Sequence, residues 1–304
     1  MSNSAVKKKF FTTKRIITWI LVAVLSVLSV WSGIQAGKIA HMTTLDDEAQ
    51  HALDKPPEKG KFNVLVLGVD KDGTRADTIM LFSVDNINKS IKVLSVPRDT
   101  RVSHNGKNFK VNACLGFETK EAFMIDKIKE ITGMPIHYYC EVSFEGVRNI
   151  IDILGGVDYD VPMKMDYEDP VQDLYIHLEK GPQHLDGDKA EQLLRFRKGY
   201  LNQDLGRIDT QQDFIKELFK QKMQTKYLLK SVEIINAAYP NVQTNFTITS
   251  ALEFVNILKS TETTDIEGFV LPGEGQYIGK VSYIVHDPEA TKQLVKEEFG
   301  YPEN

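Results

Sequence analysis

The chain has 304 residues, 42% of them hydrophobic, and its 37 basic and 42 acidic residues leave a formal net charge of −5. That balance supplies a sizeable core and gives no broad electrostatic footprint for nucleic acid. The two cysteines, Cys114 and Cys140, lack CxxC spacing and no two of the seven histidines have zinc-ligand spacing, so the cysteines read as two buried free thiols in preference to a disulfide.

Lys7, Lys8, Lys9, Lys14 and Arg15 precede an uncharged apolar run from Ile16 to Ala36. At a rise of about 1.5 Å per residue the run spans roughly 30 Å, the hydrocarbon thickness of a bilayer. It exceeds the h-region of about 7–15 residues in a cleaved signal peptide, the competing reading. Residues 1–15 therefore read as a cytoplasmic basic tail and 16–36 as a retained single-pass anchor, with the rest outside the cell. The exported part loses five basic residues, keeping 32 against 42 acidic ones, a net of −10.

Residues 37–60 are polar, end in Pro56-Pro57 and Gly60, and read as a stalk or short helix with a linker. One domain follows over 61–304. Apolar runs predict strands at 62–69, 77–85 and 90–97, the last two joined by the turn NINK. Phe123, Ile125, Ile128 and Ile131 predict a helix that Gly133 stops. A strand at 135–143, a helix closing at Gly155-Gly156 and a short strand at 157–162 come next. After the turn GPQHLDGD, helices are predicted at 188–196, 205–224, 227–238 and 249–259. Strands at 265–271 and 277–285 flank the turn PGEG, and Asp287-Pro288 opens a last helix. Alternating strands and helices predict an α/β domain with a mixed central sheet.

Only eight of the basic residues are arginine, and none follows Arg207. Six fall in three short segments at element ends: Arg75, then Arg98 and Arg101, then Arg195, Arg197 and Arg207. The planar guanidinium fork grips carboxylate or phosphate oxygens bidentately, which lysine does not. If the segment RFR leaves its helix extended, Arg195 and Arg197 share a side and Phe196 points inward. Arg207 and Gln211 share a face near a helix N-terminus, where anions are favoured. The pattern points to an oxyanion with several oxygens; the alternative is salt bridging to Asp77, Asp99 and Asp204. Asp70 ends the first strand and Asp77 begins the second. Two acids beside arginines suggest a shared hard cation such as Mg²⁺, against a simple turn role for Asp70 in DKDG.

The ordered segments VLVLGVD, RADTIMLFSVD, KVLSVPRDTRV, KVNACLG, IIDILGGVDYDVP, LLRFRK with Asp204, Arg207, Gln211 and Gln212, and FVLPGEGQY with SYIVHD resemble the LytR-CpsA-Psr family of Gram-positive envelope proteins over about residues 62–299. The resemblance implies a three-layer α/β/α fold with an apolar tunnel for a polyprenyl chain. It implies transfer of a glycopolymer, such as teichoic acid or capsule, from undecaprenyl pyrophosphate to peptidoglycan through a phosphodiester. By motif, Arg75, Arg98, Arg195, Arg197, Arg207 and Gln211 would bind the pyrophosphate, and Asp70 and Asp77 would hold Mg²⁺, or Mn²⁺ in its place. Asp204 matches the acid of the family's D-x-x-R motif. Two departures stand out: Thr210 replaces an arginine, a contact either lost or supplied by Lys198, and Cys114 lies where a larger residue is usual. Asp99 and Asp204 are both candidates for the base, with Arg98 beside them in the catalytic set. Rival readings are a non-catalytic binder of prenyl-pyrophosphate glycans, a pyrophosphatase, and a transcriptional regulator, which export and negative charge oppose.

Overall fold

The structure, a computed structural model, describes residues 45–57, 60–70, 72–170, 174–200, 204–222, 242–247, 250, 254, 257 and 266–302. The chain divides into two units after Met42, and all described residues lie in the second. The basic tail, the 16–36 anchor, the 227–238 helix and most of the 249–259 helix lie outside them. Among the described residues no helix is long and apolar enough to cross a membrane.

Strands β1 (Lys61–Val69), β2 (Ala76–Asp85) and β3 (Ser90–Ser95) form the centre of a six-stranded sheet. Their side chains alternate, and both faces are apolar, so the sheet must be covered twice. A β4–β5 hairpin (Arg101–His104, Lys107–Lys110) and a short 3-10 helix (Val111–Gly116) then lead to β6 (Tyr138–Ser143). Strand β6 joins β1 in parallel, whereas β1–β2 and β2–β3 are antiparallel. Two hairpin-like pairs lie outside the sheet: β7 (Val157–Val161) pairs with β10 (Gly181–Leu185), and β8 (Met165–Asp169) with β9 (Leu174–Leu178). The edges are β11 (Val242–Thr244), antiparallel to β6, and β12 (Ile266–Val270), parallel to β3. The chain closes with the β13–β14 hairpin (Gly273–Ile278, Val281–His286).

Six helices matter here: α1 (Asp47–Ala52), α2 (Lys120–Thr132), α3 (Phe144–Ile153), α4 (Gly187–Arg195), α5 (Asp204–Lys222) and α6 (Pro288–Leu294). On one face, Leu65, Leu67, Leu81 and Leu94 pack with Met124, Ile125, Ile128 and Ile131 of α2 and Ala49 of α1. On the other, Val64, Met80, Phe82 and Val93 meet Ile215 and Phe219 of α5. A third cluster joins Val157, Met165, Ile176, Leu193, Phe196 and Phe214 beneath α4 and α5. The mixed sheet with helices on both faces matches the expectation.

Local physics explains the boundaries. Gly133 stops α2 in the left-handed conformation at φ 68°, which a Cβ would strain. Asp287 caps α6 by accepting from the Glu289 and Ala290 amides at 3.0 Å each. Four expectations shift. The strand at 90–97 ends at Ser95, because Pro97 has no N–H for a ladder. GPQHL is not a turn but β10, with the turn-like Asp186 capping α4. PGEG opens β13, and the predicted 277–285 strand instead spans a hairpin tip at Gly279, φ 65°. Within the expected stalk, α1 buries Ala49 completely against the domain. Both cysteines are free, and burial pushes the Cys114 thiol up to about 12.

Helix α5 is pinned to the sheet by Gln212, which donates to Ser95 Oγ at 2.9 Å and to the Phe269 carbonyl at 3.0 Å. Gln212→Ala removes both buried bonds and should lower unfolding free energy by about 1–3 kcal/mol. Denaturant titration with an unchanged m-value checks this; an unchanged midpoint contradicts the pinning.

Candidate active site

The turn from β1 to β2 is built by Asp70, whose carbonyl accepts from the Gly73 amide at 3.0 Å and whose Oδ1 accepts from the Thr74 amide at 3.2 Å. The Asp70 amide donates to the Arg75 carbonyl at 3.2 Å. The turn presents Asp77, the second residue of β2, at the strand end. After β3, Thr100 folds the chain back by donating amide and hydroxyl to the Pro97 carbonyl. This tight corner carries Arg98 and Asp99. It is stitched from outside: the Asn112 amide donates to the Arg98 carbonyl, the Val111 amide to Thr100, and the Ile284 amide to Asp99.

Asp77 is where the arginines meet. Arg98 Nη1 donates to its Oδ1 at 2.6 Å and Arg197 Nη2 to its Oδ2 at 2.9 Å. Arg207, only 2% exposed, donates Nη2 to the Asp77 carbonyl at 3.2 Å. Burial works to raise the Asp77 carboxyl, but Arg197, Arg98 and Arg207 outweigh it and hold it below its ordinary 3.8. Three guanidinium groups crowd around this one carboxylate. At an effective dielectric of about 20, like charges about 5 Å apart repel by roughly 3 kcal/mol. An added anion relieves that repulsion.

The sequence expectations for these arginines fare unequally. Arg197 follows Phe196, which is extended at φ −65°, ψ 133° and 3% exposed, as the RFR pattern predicts. Arg207 and Gln211 do share a face: Gln211 Nε2 donates to Thr78 Oγ1 at 3.1 Å and to the Leu194 carbonyl at 3.0 Å. Gln211 thereby ties α5, β2 and the end of α4 together. Arg75 is exposed and lines, with Arg98 and Asp99, a cleft of about 320 Å³. Arg195 keeps different company: its Nη1 meets Glu191 Oε1 at 2.8 Å and its guanidinium lies 4.6 Å from the centre of the Phe144 ring. Glu191, 8% exposed, also takes Arg148 at 2.8 Å. Arg101 lies apart in β4; with burial it holds His286 below the usual imidazole range. Lys198 lies over the Tyr167 ring, 5.5 Å from its centre, and Thr210 bonds the Gly206 carbonyl and Tyr200. Asp204 is the first residue of α5.

Sequence reasoning missed Glu191, Thr78 and Lys110, whose Nζ meets Asp99 Oδ2 at 3.1 Å. Glu191 had a readable signal, the i,i+4 spacing to Arg195. Lys110 had none without the β4–β5 hairpin. Asp70 and Asp77 offer the hard oxygen donors that Mg²⁺ or Mn²⁺ prefers, and Asp77 is held ionised. The donor chemistry fits such an ion. Among the described residues, no group of three or more His, Cys, Asp or Glu side chains is placed to hold a metal. One or two carboxylates are the usual complement where phosphate supplies the remaining oxygens.

These features define a mixed α/β domain with a cluster of arginines around Asp77 at the strand ends. The chain belongs to the LytR_cpsA_psr family, whose profile matches residues 27–299. It is 28% identical over 314 residues to the polyisoprenyl-teichoic acid–peptidoglycan teichoic acid transferase TagV of Bacillus subtilis (strain 168), covering 95% of this chain and 79% of TagV. It is 29% identical over 300 residues to the corresponding transferase TagU of Bacillus anthracis, covering 92% and 95%. The crystal structure of B. subtilis TagV superposes with a TM-score of 0.68 over 81% of this chain and 100% of that one.

The depressed Asp77 value has a signed consequence. Asp77 stabilises the fold fully above 3.8, its value when unfolded, and the contribution is lost as pH falls through the lower folded value. Stability of the natural protein should therefore fall more steeply than that of Asp77→Asn between about pH 5 and pH 2. Urea midpoints across that range measure it; parallel curves would contradict the pairing.

Proposed function

We propose that this protein transfers an anionic glycopolymer from an undecaprenyl-pyrophosphate carrier to peptidoglycan, leaving a phosphodiester link. The observation that carries the reading is the convergence of Arg98, Arg197 and Arg207 on Asp77. A diphosphate entering beside Asp77 would take over the guanidinium donors, with Arg75 lining the cleft next to Arg98. Asp70 and Asp77 would hold Mg²⁺ or Mn²⁺, which when bound neutralises phosphate charge. The chain's own part is positioning and electrostatic stabilisation, which together supply most of the catalysis in phosphoryl transfer.

The prenyl chain would lie on the second sheet face. There Val66, Tyr138, Cys140, Ile215, Phe219 and Phe246 are partly buried, apolar and packed on the core. A tunnel opened between α5 and the sheet would suit a hydrocarbon tail and would lead it away from the charged site. The 16–36 segment would anchor the chain in the cell membrane, N-terminus in the cytoplasm, and hold the domain at the outer leaflet near its lipid-linked donor.

The test uses the full-length chain in lipid discs with an undecaprenyl-pyrophosphate glycan, Mg²⁺ and peptidoglycan oligomers, read by mass spectrometry. A phosphodiester adduct is expected, lost on chelation and restored by Mg²⁺. Arg98→Ala should slow its formation about 100- to 1,000-fold with the fold intact. Free glycan phosphate in place of the adduct would make the protein a pyrophosphatase; donor binding without turnover would make it a carrier.

A further inference from the structure

The cleft of about 320 Å³ is lined by Arg98 but not by Asp77. Beyond Arg75, Arg98 and Asp99, its walls come from strand β5, the 3-10 helix after it, and β14, which the diphosphate reading does not use. They are locked together. The Tyr283 hydroxyl donates to the Asn108 carbonyl at 3.4 Å, the Ile284 amide holds the Asp99 carbonyl at 2.9 Å, and the Asn112 amide holds the Arg98 carbonyl at 3.1 Å. The volume is at the small end of ligand pockets, about 300–1,000 Å³. It suits one or two sugar rings, not a polymer.

The lining chemistry matches an amino sugar. Phe109 offers an aromatic face to the apolar C–H face of a pyranose, and Asn108 and Asn112 offer amides to its hydroxyl and acetamido rim. One carboxylate lies in this cleft. Asp99 Oδ2 is anchored by Lys110 Nζ at 3.1 Å, while Oδ1 lies 3.9 Å from Arg98 Nε. The pair is about a quarter exposed, so substrate can reach it. Arg98 itself reaches Asp77 at 2.6 Å, so one side chain spans both ends of the arrangement.

We propose that this cleft is the acceptor-sugar subsite and that Asp99 Oδ1 receives the proton of the attacking hydroxyl; the proposal rests on the transferase reading above. The hydroxyl oxygen bonds to the glycan-bearing phosphorus as its proton passes to Asp99. The bond from that phosphorus to the bridging oxygen breaks, and prenyl phosphate leaves with the electron pair. Lys110 is a positioning residue: it fixes the carboxylate from the far side. The cleft gives Asp99 room to meet the acceptor.

The experiment measures acceptor KM and kcat for the full-length chain in lipid discs, with peptidoglycan oligomers as acceptor, and donor affinity separately. Phe109→Ala should raise acceptor KM about tenfold, the equivalent of 1.4 kcal/mol, and Phe109→Tyr, which keeps the ring, should restore it. Asp99→Asn should lower kcat about 100-fold or more with acceptor KM unchanged. All three variants should bind the donor like the natural protein, which also shows that they fold. Wild-type constants for both Phe109→Ala and Asp99→Asn, while the natural protein forms adduct, would overturn the subsite alone. Failure of the natural protein to form adduct would overturn the transferase reading and the subsite with it.

Discussion

Three guanidinium groups held against one aspartate govern how the rest of this molecule is built. Arg98, Arg197 and Arg207 come from a strand-end corner, an extended exit from a helix, and a buried helix face. Each carries a full charge that burial penalises and its neighbours repel. Asp77 is the counter-charge that makes the arrangement tolerable, and the arginines beside it hold its carboxyl below the ordinary range. A site so balanced is not a surface salt bridge of the kind worth little to stability. It is a preformed cluster of forked donors around one aspartate.

The scaffold exists to keep those groups from drifting apart. Gln212 fastens α5 to β3 and β12, and Gln211 fastens the same helix to β2 and to the end of α4. Glu191 gathers Arg148 and Arg195, and so ties α3 to α4. The corner at Arg98 and Asp99 receives backbone bonds from two later segments. Precise placement on packed elements is what electrostatic catalysis requires, because donors that need not reorganise lose nothing as charge develops.

Much of this was legible in the sequence, for identifiable reasons. The central strands announced themselves as apolar runs, and Gly133 and Asp287-Pro288 marked helix ends through backbone chemistry that few other residues supply. The arginine clusters stood out because the chain otherwise uses lysine. The Arg207–Gln211 face followed from helical spacing. The small hairpins were hidden: GPQHL reads as a turn by composition, and only its ladder to Val157–Val161 makes it a strand. Arg195 shows a different limit. It is two residues from Arg197, yet a helix end between them sends it to Glu191 and Phe144. Sequence distance carried the cluster but not the partners: Arg207 reaches Asp77 across 130 residues, whereas Arg195 pairs four residues away with Glu191.

The claim that these arginines act as one diphosphate site is tested most directly by a double-mutant cycle. Affinity of the full-length protein for geranyl pyrophosphate with Mg²⁺ is measured for the natural chain, Arg98→Ala, Arg197→Ala and the pair. Shared ligation around Asp77 predicts that each single change weakens binding and that the two are coupled by about 0.5–3 kcal/mol. Affinities that do not change, or losses that simply add, would mean that the two guanidinium groups serve separate ends.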